Sequence, residues 1–216
     1  SAQCTITTDQ DNNQIPNFHP GAMGEAHRNK VANASGISLG NEAPDGRDAM
    51  IQHAQDFTAQ NIPFMFDPGQ NLPLFSKEEL MIFLDQATWC VMNDYESQLM
   101  MNTTGESIES LASQVEALIV TRGSEGSIIY TEEGEIEIPQ VAVNKAVDPT
   151  GCGDAYRAGL LLGLEKGWGC ETSGRVGSLI GALKVQQKGT QNHEFAMAEF
   201  AQQYDCLLYA SPSPRD

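Results

Sequence analysis

Short apolar runs alternate along this chain with longer stretches in which apolar positions return every third or fourth residue. Residues 3–8 (QCTITT) and 14–18 have strand composition on either side of the polar residues 9–13, which predicts a hairpin. Residues 36–39 (GISL) are a short strand candidate. Pro44-Asp45-Gly46 then opens a helix over 47–60 that places Met50, Ala54 and Phe57 on one face. Residues 62–66 (IPFMF) and 88–92 (TWCVM) read as buried strands flanking a helix at 77–86, with two short helices following at 94–101 and 108–113. Strands are predicted at 118–121, 127–131 and 135–139, the last two joined by Glu132-Glu133-Gly134. Three helices close the pattern, near 154–166, 172–187 and 194–204. Such alternation predicts an α/β fold, a mostly parallel sheet with helices on both faces, and ligands at the C-terminal ends of the strands.

Composition narrows the picture. The 216 residues suffice for one substantial core, a single domain or a little over. With 29 acidic against 12 basic residues the formal net charge is -17, which disfavours nucleic acid and anionic membrane as partners. A phosphate-bearing substrate must then be held by local N–H groups, metal and a few cations. Cys4, Cys90, Cys152, Cys170 and Cys206 lack paired spacing, so neither a zinc site nor a disulfide frame is indicated, and reduced thiols in the cytoplasm are expected. No stretch approaches a membrane span or a signal peptide.

Chemistry concentrates in Asp148-Pro149-Thr150-Gly151-Cys152-Gly153-Asp154, a glycine-rich turn with a carboxylate ahead of the apolar helical run AYRAGLLLGLEK. Glycines let successive N–H groups point at one place, and the positive helix end faces the same point. A bare G-x-G-D also describes an ordinary capped helix start. The longer string DPTGCGDAYRAG resembles the C-terminal signature of the ribokinase-like (PfkB) carbohydrate kinases. That resemblance implies a three-layer sandwich, Asp154 as catalytic base, and an anion hole built from the N–H groups of Gly151, Cys152 and Gly153.

Further strings follow the same family order. Asn93 and Glu96 form an N-x-x-E that in the family organises Mg²⁺ through water. Thr121-Arg122-Gly123-Ser124-Glu125-Gly126 resembles the T-x-G-x-x-G loop, which assigns Thr121, Gly123 and Gly126 to the nucleotide phosphates. Lys188 to His193 (KGTQNH) resembles the loop over adenine, bringing in Gly189 and Asn192, and implies a monovalent cation, such as potassium, near Asp148 and Thr150. Asp67 stands in a D-P-G where the family commonly has Asn at the position of Gly69. Arg157 is readable as a phosphate partner, as a partner of a neighbouring carboxylate or as a packing residue, His193 as a capping, surface or ligand residue, and His19 as a loop residue near the acceptor. Cys152 lacks a neighbouring base and is read as an N–H donor, not as a nucleophile.

The resemblance covers residues 3–205 and lacks the family's N-terminal part. Residues 1–205 are expected to be the central and C-terminal part of a kinase domain, and 206–216 (CLLYASPSPRD) a non-native, adapter-like tail. The implied activity is ATP- and Mg²⁺-dependent phosphorylation of a sugar or nucleoside hydroxyl, adenosine kinase-like in wording, by a homodimer when full length. Ribokinase- or fructokinase-like activity, or a nucleotide-binding module inactive as a fragment, are the alternatives. A dinucleotide oxidoreductase is excluded by the absence of G-x-G-x-x-G after the first strand.

Overall fold

In the computed structural model, residues 1–8 and 14–210 are described, without the side chains of residues 6, 8, 14–16 and 207–210. The polar turn expected at 9–13 and residues 211–216 lie outside them. The chain divides into two compact units, Ser1–Val91 with Gln98–Val115, and Met92–Ser97 with Glu116–Asp216.

The first unit begins with the expected hairpin, β1 (Gln3–Thr8) antiparallel to β2 (Gln14–His19), Gln3 lying opposite His19. Two 3₁₀ turns, Gly21–Arg28 and Val31–Asn33, follow where no element was expected. Next come β3 (Gly40–Glu42), α1 (Arg47–Ala59), β4 (Phe64–Phe66), a 3₁₀ turn at Gly69–Leu74, α2 (Lys77–Gln86) and β5 (Trp89–Asn93). β3, β4 and β5 run parallel, as crossover helices require. Their core is aromatic. Phe57 stacks on Phe64 with centroids 5.3 Å apart, Phe66 on Phe83 at 4.5 Å, and Met50, Leu80 and Leu84 are fully buried. Ser76 and Glu79 cap α2 reciprocally.

The strand expected at 36–39 is corrected to Gly40–Glu42. An apolar run did not mark it because it buries a glycine and a carboxyl group instead. A Cβ at Gly40 would lie 2.5 Å from the Phe57 ring, so α1 packs directly on backbone there. Glu42 is 3% exposed, and burial pushes its carboxyl up to about 9, assisted by Asp45. His53 Nδ1 lies 3.7 Å from that carboxyl, a contact with an uncharged acid and not an ion pair. Asp67 is also buried, and Gly69 turns at φ 48° where a Cβ would lie 2.5 Å from Pro44 Cγ. Steric fit to Pro44 explains glycine at that position.

The second unit takes in the end of β5, the first turn of α3 (Asp94–Thr104), then β6 (Ala117–Thr121), β7 (Ser127–Thr131) and β8 (Gly134–Ile138). These last three strands form an antiparallel meander. Between α3 and β6 the short α4 (Ile108–Ala112), capped by Ser107, belongs to the first unit. Three helices complete the second: α5 (Cys152–Glu165), α6 (Cys170–Val185) and α7 (Met197–Ala210). α7 starts later than expected and runs through Ala210, into the segment expected to be non-native.

Glycines set how α5 meets α6. A Cβ on Gly159 would come within 2.8 Å of Gly177 Cα, and one on Gly177 within 2.7 Å of the Tyr156 carbonyl. The two backbones therefore touch, which fixes their crossing. Ala155, Val176 and Ile180 form a small core over which Phe195, Phe200 and Tyr204 close.

Candidate active site

The elements of the second unit bring four of the predicted strings to one place. At the end of β5, Asn93 Oδ1 accepts the Glu96 N–H at 2.7 Å while Glu96 Oε2 accepts the Asn93 N–H at 2.8 Å. This reciprocal cap starts α3 and holds the Glu96 carboxylate in one orientation. Thr121, at the end of β6, donates its hydroxyl to the Met92 carbonyl at 3.4 Å, joining the T-x-G-x-x-G loop to the strand end that carries Asn93.

That loop closes on itself. Arg122 N–H donates to the Gly126 carbonyl at 2.8 Å around a 3₁₀ turn at Gly123–Glu125. Its two glycines are needed for different reasons. Gly126 has φ 83°, and a Cβ there would sit 2.1 Å from the Ile138 carbonyl oxygen. Gly123 has φ 55° and faces open space.

The third string begins α5. Gly151 takes φ 85° as the N-terminal cap, so the helix starts at Cys152, earlier than the sequence pattern suggested. Asp154 therefore sits in the first turn, its side chain 86% exposed and 3.9 Å from Arg157 Nη1. Gly153 has no positive φ, and a Cβ there would lie 2.6 Å from Arg157 Nη1, the movable end of a long side chain. Cys152 N–H donates to the Pro149 carbonyl at 3.1 Å. Among the described residues no protein acceptor takes the Gly151 or Gly153 N–H, so the expected three-amide hole presents two open donors. Burial pushes the Cys152 thiol up, partly offset by Lys184, which keeps it a thiol and argues against nucleophilic use.

Asp148 ties this turn to the fourth string. Its Oδ1 accepts the Thr150 N–H and its Oδ2 the Gly189 N–H, each at 2.9 Å. These bonds, Gly189 foremost and then Thr150, hold its carboxyl down at about 2. The bonds persist above the ordinary carboxylate range and fail only as pH falls through that value. Gly189 has φ 86°, and Asn192 Nδ2 donates to the Lys188 carbonyl at 2.9 Å, so Asn192 locks its own turn. Thr190 lies against Gly151, where a Cβ would be 3.1 Å from its own. His193 is half-buried, stacked near Phe195, and its Nδ1 has no partner among the described residues.

Two residues the sequence reading passed over complete the site. Tyr156 is buried, its hydroxyl 2.8 Å from Ser127 Oγ, and burial pushes its phenol up to about 12. This pins α5 to β7. Lys184, in the last turn of α6, is fully buried. A lysine in the apolar run GALKV gave no signal beyond that of a helix end.

A cavity of about 310 Å³ opens between the strings, lined by Thr121, Gly123, Gly126, Cys152, Gly153 and Tyr156 among others. Its size suits a small organic ligand. Three or more acidic, histidine or cysteine side chains do not converge as a metal cage among the described residues.

The model of the pfkB family carbohydrate kinases matches residues 1–195. The chain belongs to that family. It is 37% identical over 190 residues to a nucleoside kinase of Methanocaldococcus jannaschii, covering 87% of this chain and 62% of that protein. It is 26% identical to the adenosine kinase of Saccharomyces cerevisiae, over 66% of this chain and 46% of the yeast enzyme. Among solved structures, the nucleoside kinase of Burkholderia thailandensis in complex with inosine superposes with TM-score 0.94 at 45% identity, over 97% of this chain and 69% of that one. A ribokinase of Thermotoga maritima, at 21% identity and TM-score 0.74, supports the ribokinase fold. The chain spans about three fifths of the length of the curated nucleoside kinases it matches.

Proposed function

We propose that this chain carries the nucleotide-binding and catalytic part of an ATP-dependent nucleoside kinase. The carrying observation is the Gly151–Asp154 turn, where two open backbone donors at a helix N-terminus precede a solvent-accessible carboxylate beside a cavity walled by the T-x-G-x-x-G loop. Donors fixed before the reaction stabilise charge growing on a transferred phosphoryl group without reorganising. Asp154 then takes the proton of the acceptor hydroxyl, and the freed alkoxide oxygen attacks the γ-phosphorus as ADP leaves. Cys152 and Gly153 line the nucleotide cavity, while Thr121, Gly123 and Gly126 form its phosphate-facing wall. Gly189 and Asn192 shape the loop beyond.

Mg²⁺ would be held through water by Glu96, oriented by Asn93. One carboxylate with one amide suits an ion that keeps most of its waters. When bound, it neutralises charge on the β- and γ-phosphates. The nucleoside acceptor is favoured over a simple sugar because the relatives of higher identity bear the name nucleoside kinase and one was solved with inosine.

Phosphoryl transfer from ATP to adenosine, inosine, ribose and fructose, measured on the full-length gene product, tests this reading. Nucleosides should be phosphorylated well ahead of the sugars. Asp154→Asn should lower turnover about 10²–10⁴-fold while binding of an ATP analogue stays within a few-fold. Preference for ribose or fructose would move the acceptor to the sugar class. Turnover of Asp154→Asn near wild type would remove that residue from the mechanism.

A further inference from the structure

Lysine is rarely buried without a partner, because its ammonium loses hydration that only oxygen acceptors can replace. Lys184 is 0% exposed, and its Nζ donates to the Asp148 carbonyl at 2.6 Å and approaches the Gln187 carbonyl at 3.5 Å. Its charge lowers the Asp148 carboxyl and opposes the burial that raises the Cys152 thiol. Three of the oxygens that a monovalent cation would use here already have a partner. Asp148 Oδ1 and Oδ2 accept N–H groups from Thr150 and Gly189, and the Asp148 carbonyl accepts the ammonium. A potassium ion held by Asp148 and Thr150 would compete with the Lys184 ammonium for the Asp148 carbonyl.

We infer that Lys184 is a tethered cation which replaces the monovalent metal ion expected at Asp148 and Thr150, holding the Gly151–Gly153 donors in place without potassium. The ammonium faces the carbonyl end of α6, where positive charge is favoured, and bridges that end to the segment leading into Gly151. The backbone reinforces the bridge, since the N–H groups of Val147 and Asp148 donate to the Val185 carbonyl at 2.7 and 3.1 Å. Lys184 is thus a positioning residue. It touches no reacting atom, and it fixes the turn from which the open amides project.

The inference rests on the kinase reading for its activity arm and stands apart from it in its stability arm. For the wild-type full-length gene product, neither nucleoside phosphorylation nor the thermal unfolding midpoint should respond when choline is replaced by potassium at constant ionic strength. Lys184→Ala should lose turnover about 10²-fold in choline, since a small displacement of the donors is that costly. Potassium or ammonium should restore much of it, saturably, and raise the midpoint of the variant as well. Lys184→Met, which fills the space without charge, should show no such rescue. Potassium activation of the wild type, a potassium-dependent wild-type midpoint, or a folded Lys184→Ala that potassium does not rescue would each overturn the inference. If Lys184→Ala fails to fold, the wild-type midpoint in potassium and choline decides alone. Absence of phosphorylation by the wild type in every salt would count against the kinase reading, while the midpoint arm still tests the tethered cation.

Discussion

Glu42 shows how one buried group sets a pH response. Its carboxyl is pushed up to about 9, so between about 4.5 and that value the folded chain holds a proton that the unfolded chain releases. Stability then falls as pH rises through this window, by about 1.4 kcal/mol for each pH unit. Glu42→Gln keeps the shape and removes the titration. Urea unfolding between pH 5 and 9 should show a marked decline for wild type and a flatter profile for the variant. Parallel profiles would mean that Glu42 is ionised in the folded protein.

Where α5 meets α6, the contact is between backbones, and it predicts opposite effects for two glycines of one helix. Gly177→Leu drives a side chain into the Tyr156 carbonyl, 2.7 Å from the new Cβ, and should cost about 1–3 kcal/mol or more. Gly181→Ala finds only the Cys152 carbonyl, at 3.6 Å, and should be neutral or gain up to about 1 kcal/mol from helix propensity. Thermal midpoints of the two variants check the contrast. This scale also divides what could be read from the chain from what could not. Residues 77–86 and 127–131 emerge at the bounds the pattern predicts, because period and caps lie within the segment itself. The motif strings were legible for the same reason, each being contiguous. β3 was not, because a three-residue strand that buries Gly40 and Glu42 breaks the apolar pattern on which the reading depends. Lys184 was not, because its meaning comes from Asp148, 36 residues away. The bond of Cys152 N–H to Pro149 was hidden too, since turn geometry decides which amides stay open.

At the scale of the whole molecule the net charge of -17 opposes both compaction and the approach of a polyanionic nucleotide. Screening relieves both effects. The thermal midpoint should therefore rise with sodium chloride between about 0.01 and 0.15 M, over which the Debye length shortens from about 30 to 8 Å. The association rate of ATP should rise over the same range. A midpoint that falls with salt would show that attractive pairs outweigh the net repulsion. Among the described residues no helix is long and apolar enough to cross a membrane.

The unequal positions of Gly126 and Gly123 bear on how such a sequence ages. Gly126 is held by the Ile138 carbonyl whether or not a nucleotide ever binds, so any descendant that still folds keeps it. Gly123 faces open space at φ 55°, a conformation that Asn and Asp also adopt. In a lineage released from selection for phosphoryl transfer, Gly123 is free to drift while Gly126 stays. A half-worn copy of this loop in a distant homologue is therefore testimony to inherited architecture and says nothing of surviving chemistry.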